Sequence, residues 1–208
     1  MLAVAIIGAG SKLGVELIEA CLASGHLVRA VVRDPRRLQR SNENLTVFHG
    51  DPESGTGLEA ACRGADAVVI APERLRPSMK ATVGHVVGVL QAARKTVGKV
   101  VLVSRVGVGD SGLQGRQVSG PLTALLPGIM RPMYEDLGHA EGILRVSRLP
   151  YLLVRTTRMT GGPANNRITA VDARSPVPSR CTRVDVARFI VRMIENPTQA
   201  REITVGTA

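Results

Sequence analysis

The sequence predicts an α/β fold, a doubly wound and mostly parallel sheet with helices on both faces. Three observations carry this. Apolar runs of strand length, rich in Val and Ile with little polar alternation, recur along the chain, as strands buried on both faces of a parallel sheet do. Helix-length segments lie between those runs, where a parallel sheet needs its crossover connections. Gly25, Gly64 and Gly98 stand just after three of the helical segments, where a left-handed C-terminal cap is favoured.

Taken in order, Ala3–Ile7 is the first apolar run and leads straight into a glycine turn, after which Lys12–Ala23 repeats its apolar residues at helical spacing. Leu27–Val32 is the second strand, stopped by a short turn after Pro35, and residues 45–48 are the third. A helical stretch over 56–62 precedes the four-residue run Ala67–Ile70; a longer one over 78–97 precedes the strand at 100–103. Residues 131–147 read as helix, 151–154 as the sixth strand and Arg183–Glu195 as the last helix, with a short strand at 202–205 completing the sheet edge. Two segments break the pattern. Residues 106–128 are dense in Gly and Pro and follow the fifth strand at its carboxyl end, where open α/β sheets hold ligands, so they read as a substrate loop or lid. Residues 160–178, rich in Gly, Pro and Asn, follow the sixth. No internal repeat or linker divides the chain, so residues 1–208 are expected to form one domain, with 156–208 supplying a substrate-side loop, the last helix and an edge strand.

Composition narrows the function. The 208 residues carry a formal net charge of +10, with 44% hydrophobic and 21% charged residues, which suits a packed globular protein rather than a disordered basic tail. Only four of the basic residues are lysines, at 12, 80, 95 and 99; the rest are arginines, most of them read as solvated surface. With two Phe, two Tyr and no Trp, the chain lacks the stacking platform that single-strand binders use. A nucleic-acid reading therefore rests on charge alone and has no motif behind it. Cys21, Cys62 and Cys181 are widely spaced with no C-x-x-C pair, which argues against disulfides and a metal site. The apolar start at residues 2–7 is too short for a membrane span or a signal peptide. A soluble, cytoplasmic protein without a membrane partner is expected, as a monomer or a homodimer.

The sharpest motif is Gly8-Ala9-Gly10-Ser11-Lys12-Leu13-Gly14, set between the first strand and the first helix. This is the context in which glycine turns bind dinucleotides: Gly8 permits the tight turn, small Gly10 and Ser11 admit a pyrophosphate, Gly14 lets helix and strand pack closely, and the helix amides bind the anion. The spacing departs from G-x-G-x-x-G because residue 13 is leucine. The second strand ends Val31-Val32-Arg33-Asp34-Pro35-Arg36-Arg37. Arg33 takes the place where NAD-selective folds carry an acid, and Arg36, Arg37 and Arg40 follow; guanidinium groups there pair with a 2′-phosphate. NADP(H) is favoured over NAD, although Asp34 also lies within reach of a ribose, and a merely solvated basic turn is the alternative.

The chain resembles the atypical short-chain dehydrogenases, in the NAD(P)H-binding group that includes NmrA-like proteins, bacterial flavin reductases and biliverdin reductase B. The resemblance rests on the glycine turn, Val32-Arg33-Asp34-Pro35, His49-Gly50-Asp51, Gly64-Ala65-Asp66-Ala67-Val68-Val69, Val101-Leu102-Val103-Ser104, Glu141 through Tyr151-Leu152-Leu153-Val154-Arg155, and Arg183-Val184-Asp185-Val186-Ala187. It implies a Rossmann-like fold, Asp51 near the adenine, Ala71 and Pro72 lining the cofactor groove, Ser104 beside the nicotinamide, and Arg155-Thr156-Thr157 at the nicotinamide end. Arg105, where relatives often have a small residue, either holds an anionic substrate or blocks the pocket.

Conventional members of this superfamily use a Tyr-x-x-x-Lys pair. Tyr134 is the one tyrosine in the right region, but Gly138 stands where the lysine belongs. Ser104 and Tyr134 are the candidate catalytic residues, Ser104 by hydrogen bonding and Tyr134 as an unaided proton donor. His139 and Glu141 read first as surface or helix-cap residues, with acid–base roles as the alternative. Hydride transfer to a small planar acceptor such as a flavin or quinonoid compound asks little of the protein beyond orientation, and such an acceptor would lie against Leu122, Leu125 and Ile129. The alternative function is a non-catalytic NADP(H) sensor of the NmrA-like kind, acting on a protein partner.

Overall fold

A computed structural model of the protein describes residues 1–38, 40–71, 78–93, 97–108, 127–171, 178–196 and 199–207. Its elements run β1 (Ala3–Ile7), α1 (Lys12–Ala23), β2 (Leu27–Val32), β3 (Leu45–His49), α2 (Leu58–Cys62), β4 (Ala67–Ile70), α3 (Met79–Ala92), β5 (Lys99–Arg105), α4 (Pro127–Val146), β6 (Tyr151–Thr156), β7 (Arg158–Thr160), β8 (Ile168–Val171), β9 (Arg180–Thr182), α5 (Arg183–Glu195) and β10 (Glu202–Thr207). The main sheet has the order β3-β2-β1-β4-β5-β6-β10-β8. Every neighbouring pair is parallel except β10 with β8. This is the doubly wound α/β architecture the apolar runs predict, and its strand order reverses between β1 and β4.

Alternation along each strand feeds two cores. Val4 and Ile6 of β1, Val101 and Val103 of β5, and Leu152 and Val154 of β6 pack with α1 and α5. Ala5, Ile7, Val100, Leu102 and Leu153 face α2, α3 and α4 instead. Helix α1 starts at Ser11, whose hydroxyl accepts the Gly14 amide at 2.8 Å, and buries Leu17, Ile18 and Cys21 at helical spacing. It stops at Gly25, with φ 73°. Helix α3 is capped from outside: the Asp136 carboxylate on α4 accepts the Met79 amide at 2.6 Å and the Lys80 amide at 3.3 Å, which ties the two helices together.

The structure differs from the sequence expectation at its second half. The strand expected to close the sheet edge, now β10, lies between β6 and an additional antiparallel strand, β8. β8 sits within the 160–178 segment, where Gly, Pro and Asn obscure a four-residue run. β7 and β9 form a separate parallel pair. Gly98 lies outside the left-handed region that Gly25 and Gly64 occupy; a Cβ there would stand 3.0 Å from the Asp66 carbonyl, so its reason is close approach. The expected lid falls mainly at residues 109–126, outside the described residues. No described helix is long and apolar enough to cross a membrane. Cys21, Cys62 and Cys181 are buried free thiols, and burial pushes Cys21 up to about 12 and Cys62 to about 11, so neither is a nucleophile near neutral pH.

Helix α5 anchors the irregular segment. Thr182 caps it by accepting the Asp185 amide at 3.1 Å, and the Asp185 carboxylate accepts the Thr182 hydroxyl at 2.7 Å and the amides of Asn165 and Asn166 at 3.2 and 3.0 Å. Burial alone would raise this carboxyl, but the hydrogen bonds outweigh it and hold it below its ordinary value of 3.8. Because the folded value is depressed, the stabilisation is complete above the unfolded value and disappears as pH falls through the lower folded one. Asp185→Asn is expected to lower unfolding free energy by about 1–3 kcal/mol in urea denaturation at neutral pH, and the difference from the parent protein should shrink under acid conditions below that 3.8.

Candidate functional site

The parallel strands β1 to β6 deliver their carboxyl ends to one edge of the sheet, where Gly8, Arg33, Ala71 and Ser104 end or follow strands β1, β2, β4 and β5. Gly8 leaves β1 with φ 86°, a conformation that a side chain disfavours. At Gly14 a Cβ would lie 2.3 Å from the Gly8 carbonyl and 2.7 Å from Ala9, so helix α1 rests directly on the turn. The Ser11 amide donates to Gly8 and the Ala9 amide to Val31, while those of Gly10, Lys12 and Leu13 make no hydrogen bond to a described residue. These outward amides at the positive end of α1 fit a diphosphate. Gly10 and Lys12 are exposed and Leu13 buried. Ser11 is itself buried, its hydroxyl committed to the cap. Ala71 follows β4, its amide donating to the Ile7 carbonyl at 2.9 Å. Pro72 and the Arg37 side chain lie outside the described residues.

The end of β2 is less basic in space than in sequence. The pairing of Val32 with His49 brings the turn after β3 alongside Arg33. Arg33 Nε stands 3.3 Å from Asp51 Oδ1 and Nη2 2.7 Å from Glu53 Oε1. Arg36 is held by Asp34 at 2.9 Å, and Arg40 pairs with Glu19 of α1. Three of the arginines read as phosphate ligands thus carry carboxylate partners, of which only Asp34 is a sequence neighbour. Glu53 was not legible as a site residue because it lies 20 positions from Arg33.

A second charged group lies under the edge, between the sheet and α4. Ser104 of β5 and Arg155 of β6 are paired in register and both point at Glu141. The Ser104 hydroxyl donates to Glu141 Oε1 at 2.6 Å; Arg155 Nη2 reaches Oε2 at 2.7 Å, and Arg155 Nη1 reaches Glu202 at 2.9 Å. Arg145 joins both acids, at 3.1 Å from Glu141 and 2.8 Å from Glu202. Glu141 is 0% and Arg155 1% exposed. Burial opposes the charge on Arg155, yet its carboxylate partners outweigh this and raise it further; Glu202 is lowered by the same balance, with Arg145 the main partner.

This arrangement corrects one expectation. Glu141 is not a surface or cap residue but the centre of a buried ion cluster, because α4 turns it inward toward β5 and β6. Arg155-Thr156-Thr157 is likewise buried: Arg155 serves the cluster, the Thr156 hydroxyl donates to the Ser104 carbonyl and that of Thr157 to Val205. These bonds tie the ends of β6, β5 and β10 together. Ser104, expected beside the nicotinamide, is 1% exposed with its hydroxyl proton directed at Glu141. Tyr134 is half-buried, its ring against Gly107 just past β5, while His139 is exposed. Leu122 and Leu125, and the side chain of Ile129, lie outside the described residues. Among the described residues no cluster of His, Cys, Asp or Glu is placed to hold a metal.

Comparison with known proteins identifies the family and agrees with the fold. Residues 8–197 match the model of a family described as NAD(P)H-binding, in line with the resemblance read from the motifs. No curated protein matches the chain in sequence. Its fold is similar to that of an anaerobillin reductase, ChuY, from Escherichia coli O157:H7, at TM-score 0.79 and 21% identity over 99% of this chain and 97% of that one. It is similar to a putative NADH-flavin reductase from Streptococcus pneumoniae TIGR4, at 0.79 and 16% over the whole of both chains. A wide-type short-chain dehydrogenase/reductase from Veillonella parvula DSM 2008, solved in complex with NADP, is similar at 0.78 and 19% over 99% of this chain and 94% of that one.

Removing one member of the buried cluster leaves opposite charges unpaired in the core. Glu141→Ala is expected to cost about 3–5 kcal/mol, and Ser104→Ala only about 1–2 kcal/mol, both read from urea midpoints. Near-equal losses would show that Glu141 is not the hub. Gly14→Val, whose Cβ meets backbone within 2.3 Å, is expected to weaken binding of NADP and of NAD alike, measured by isothermal titration.

Proposed function

Because the chain belongs to this NAD(P)H-binding family, we propose that it is an NADPH-dependent oxidoreductase passing hydride to a planar acceptor such as a flavin or quinonoid compound. The observation that carries the cofactor half is the pairing, on one sheet edge, of the amide-lined turn before α1 with Arg33 at the end of β2. The turn holds the diphosphate through the amides of Gly10, Lys12 and Leu13 and the dipole of α1. Arg33 then selects the 2′-phosphate, as a planar guanidinium does through charge-assisted bonds. Asp51 borders the adenine end, and Ala71 the groove beyond β4.

At the other end the chain supplies orientation more than acid–base chemistry. The reduced nicotinamide provides the hydride when bound. Gly138 occupies the position of a dyad lysine, and Ser104 has its proton turned inward, so Tyr134 beside Gly107 is the described group placed to hold or deliver a proton at its hydroxyl. Acceptors that need little proton assistance suit such a site. The names of two similar structures, a flavin reductase and an anaerobillin reductase, point to the same acceptor class. Arg105, at the end of β5, supplies a cation for an anionic acceptor. One observation favours a second reading, a non-catalytic NADP(H) sensor acting on a protein partner: the only edge serine on β5 is committed to the core.

The test is loss of nicotinamide absorbance when NADPH is mixed with protein and a panel of flavins, quinones and dyes. Turnover with at least one acceptor is expected. NADPH binding with no oxidation by any acceptor would instead support the sensor. Arg33→Ala is expected to weaken NADPH binding roughly tenfold while NADH binding changes little; parallel loss of both would place Arg33 away from the phosphate. Tyr134→Phe should lower turnover without changing NADPH affinity.

A further inference from the structure

Arg33 meets its ligand already engaged. We infer that Asp51 and Glu53 compete with the cofactor's 2′-phosphate for the Arg33 guanidinium and so set how strongly the protein discriminates NADPH from NADH; this rests on the dinucleotide reading above. The nitrogens involved, Nε at 3.3 Å from Asp51 and Nη2 at 2.7 Å from Glu53, belong to the fork that a phosphate engages. All three side chains are roughly half exposed, and exposed pairs of this kind are weak, so a phosphate dianion can displace the carboxylates from the guanidinium. NADH, with a ribose hydroxyl in that place, incurs no such exchange, and a carboxylate there accepts a hydrogen bond from it.

The turn that carries the two acids is held in position. The Glu53 amide donates to Asp51 Oδ1 at 3.2 Å, and the Asp51 amide to the Thr56 carbonyl at 3.0 Å. Gly57 turns at φ 76° with no room for a side chain, since a Cβ would meet the His49 carbonyl at 2.4 Å; a Cβ at Gly50 would meet that of Thr56 at 2.6 Å. Register then fixes the turn against β2, through Val32 and His49. The competition is therefore built into the fold, and its strength depends on which side chains occupy 51 and 53.

Dissociation constants for NADPH and NADH, measured by fluorescence titration on the parent protein, Glu53→Gln, Asp51→Asn, Arg33→Ala and the double variant Arg33→Ala/Glu53→Gln, test this. Glu53→Gln is expected to tighten NADPH by roughly two- to fivefold, with Asp51→Asn in the same direction and NADH moving less. In the Arg33→Ala background Glu53→Gln should no longer tighten NADPH. An unchanged NADPH/NADH ratio in both single variants overturns the inference, as does tightening that persists without Arg33, which would mean direct repulsion between carboxylate and phosphate. Failure of the underlying reading looks different: the parent protein binds neither dinucleotide, or Arg33→Ala weakens both equally, and either result overturns the inference with it.

Discussion

The main-chain pairing of β1 with β2 on one side and β4 on the other aligns everything at the functional edge. β1 is sealed on both faces, Val4 and Ile6 against one helical layer and Ala5 and Ile7 against the other. Its amides and carbonyls have no water to turn to, so their only partners are the neighbouring strands, and the register is set by that necessity. With the register set, the chain leaves β1, β2, β3 and β4 at one level. Gly8, Arg33, Asp51 and Ala71 become neighbours along a line although they are scattered through the first third of the sequence. The winding reverses beside β1, which opens the crevice into which the α1 amides face.

Two charged groups meet at this edge, and solvent gives them opposite roles. Around Arg33 the ions are half exposed and so weakly coupled, which is what the proposed exchange with a cofactor phosphate requires. Around Arg155 the same chemistry is buried, and an unpaired ion there costs far more than any ligand contact returns. Its guanidinium is divided among Glu141 and Glu202, and its work is to hold β5, β6, β10 and α4 in register beneath the site. The net charge of +10 thus says little about local potential. At the end of β2, Arg33 and Arg40 stand opposite carboxylates delivered from elsewhere in the chain, and Arg36 opposite its neighbour Asp34.

Most elements were legible because their cause is local. Apolar runs of strand length, glycines after helical stretches, and apolar residues repeating at helical spacing each declare themselves within a few residues. β8 was not legible, because four residues among Gly, Pro and Asn carry too little periodicity and depend on β10 for their partner. Glu141 was misplaced for a related reason. On a helix with polar residues around it, only the neighbouring β5 and β6 decide which way one carboxylate faces.

By itself the sequence determined the doubly wound sheet, the glycine turn before α1 and the arginine at the end of β2, since these rest on hydrophobic periodicity and on backbone conformations that only certain residues adopt. The tertiary structure decided what those arginines touch. Asp51 and Glu53 reach Arg33 because β2 and β3 pair in parallel, and Glu141 reaches Ser104 and Arg155 because α4 packs across β5 and β6. Charge acts through distance and burial, and both come from strand register and helix packing rather than from order along the chain.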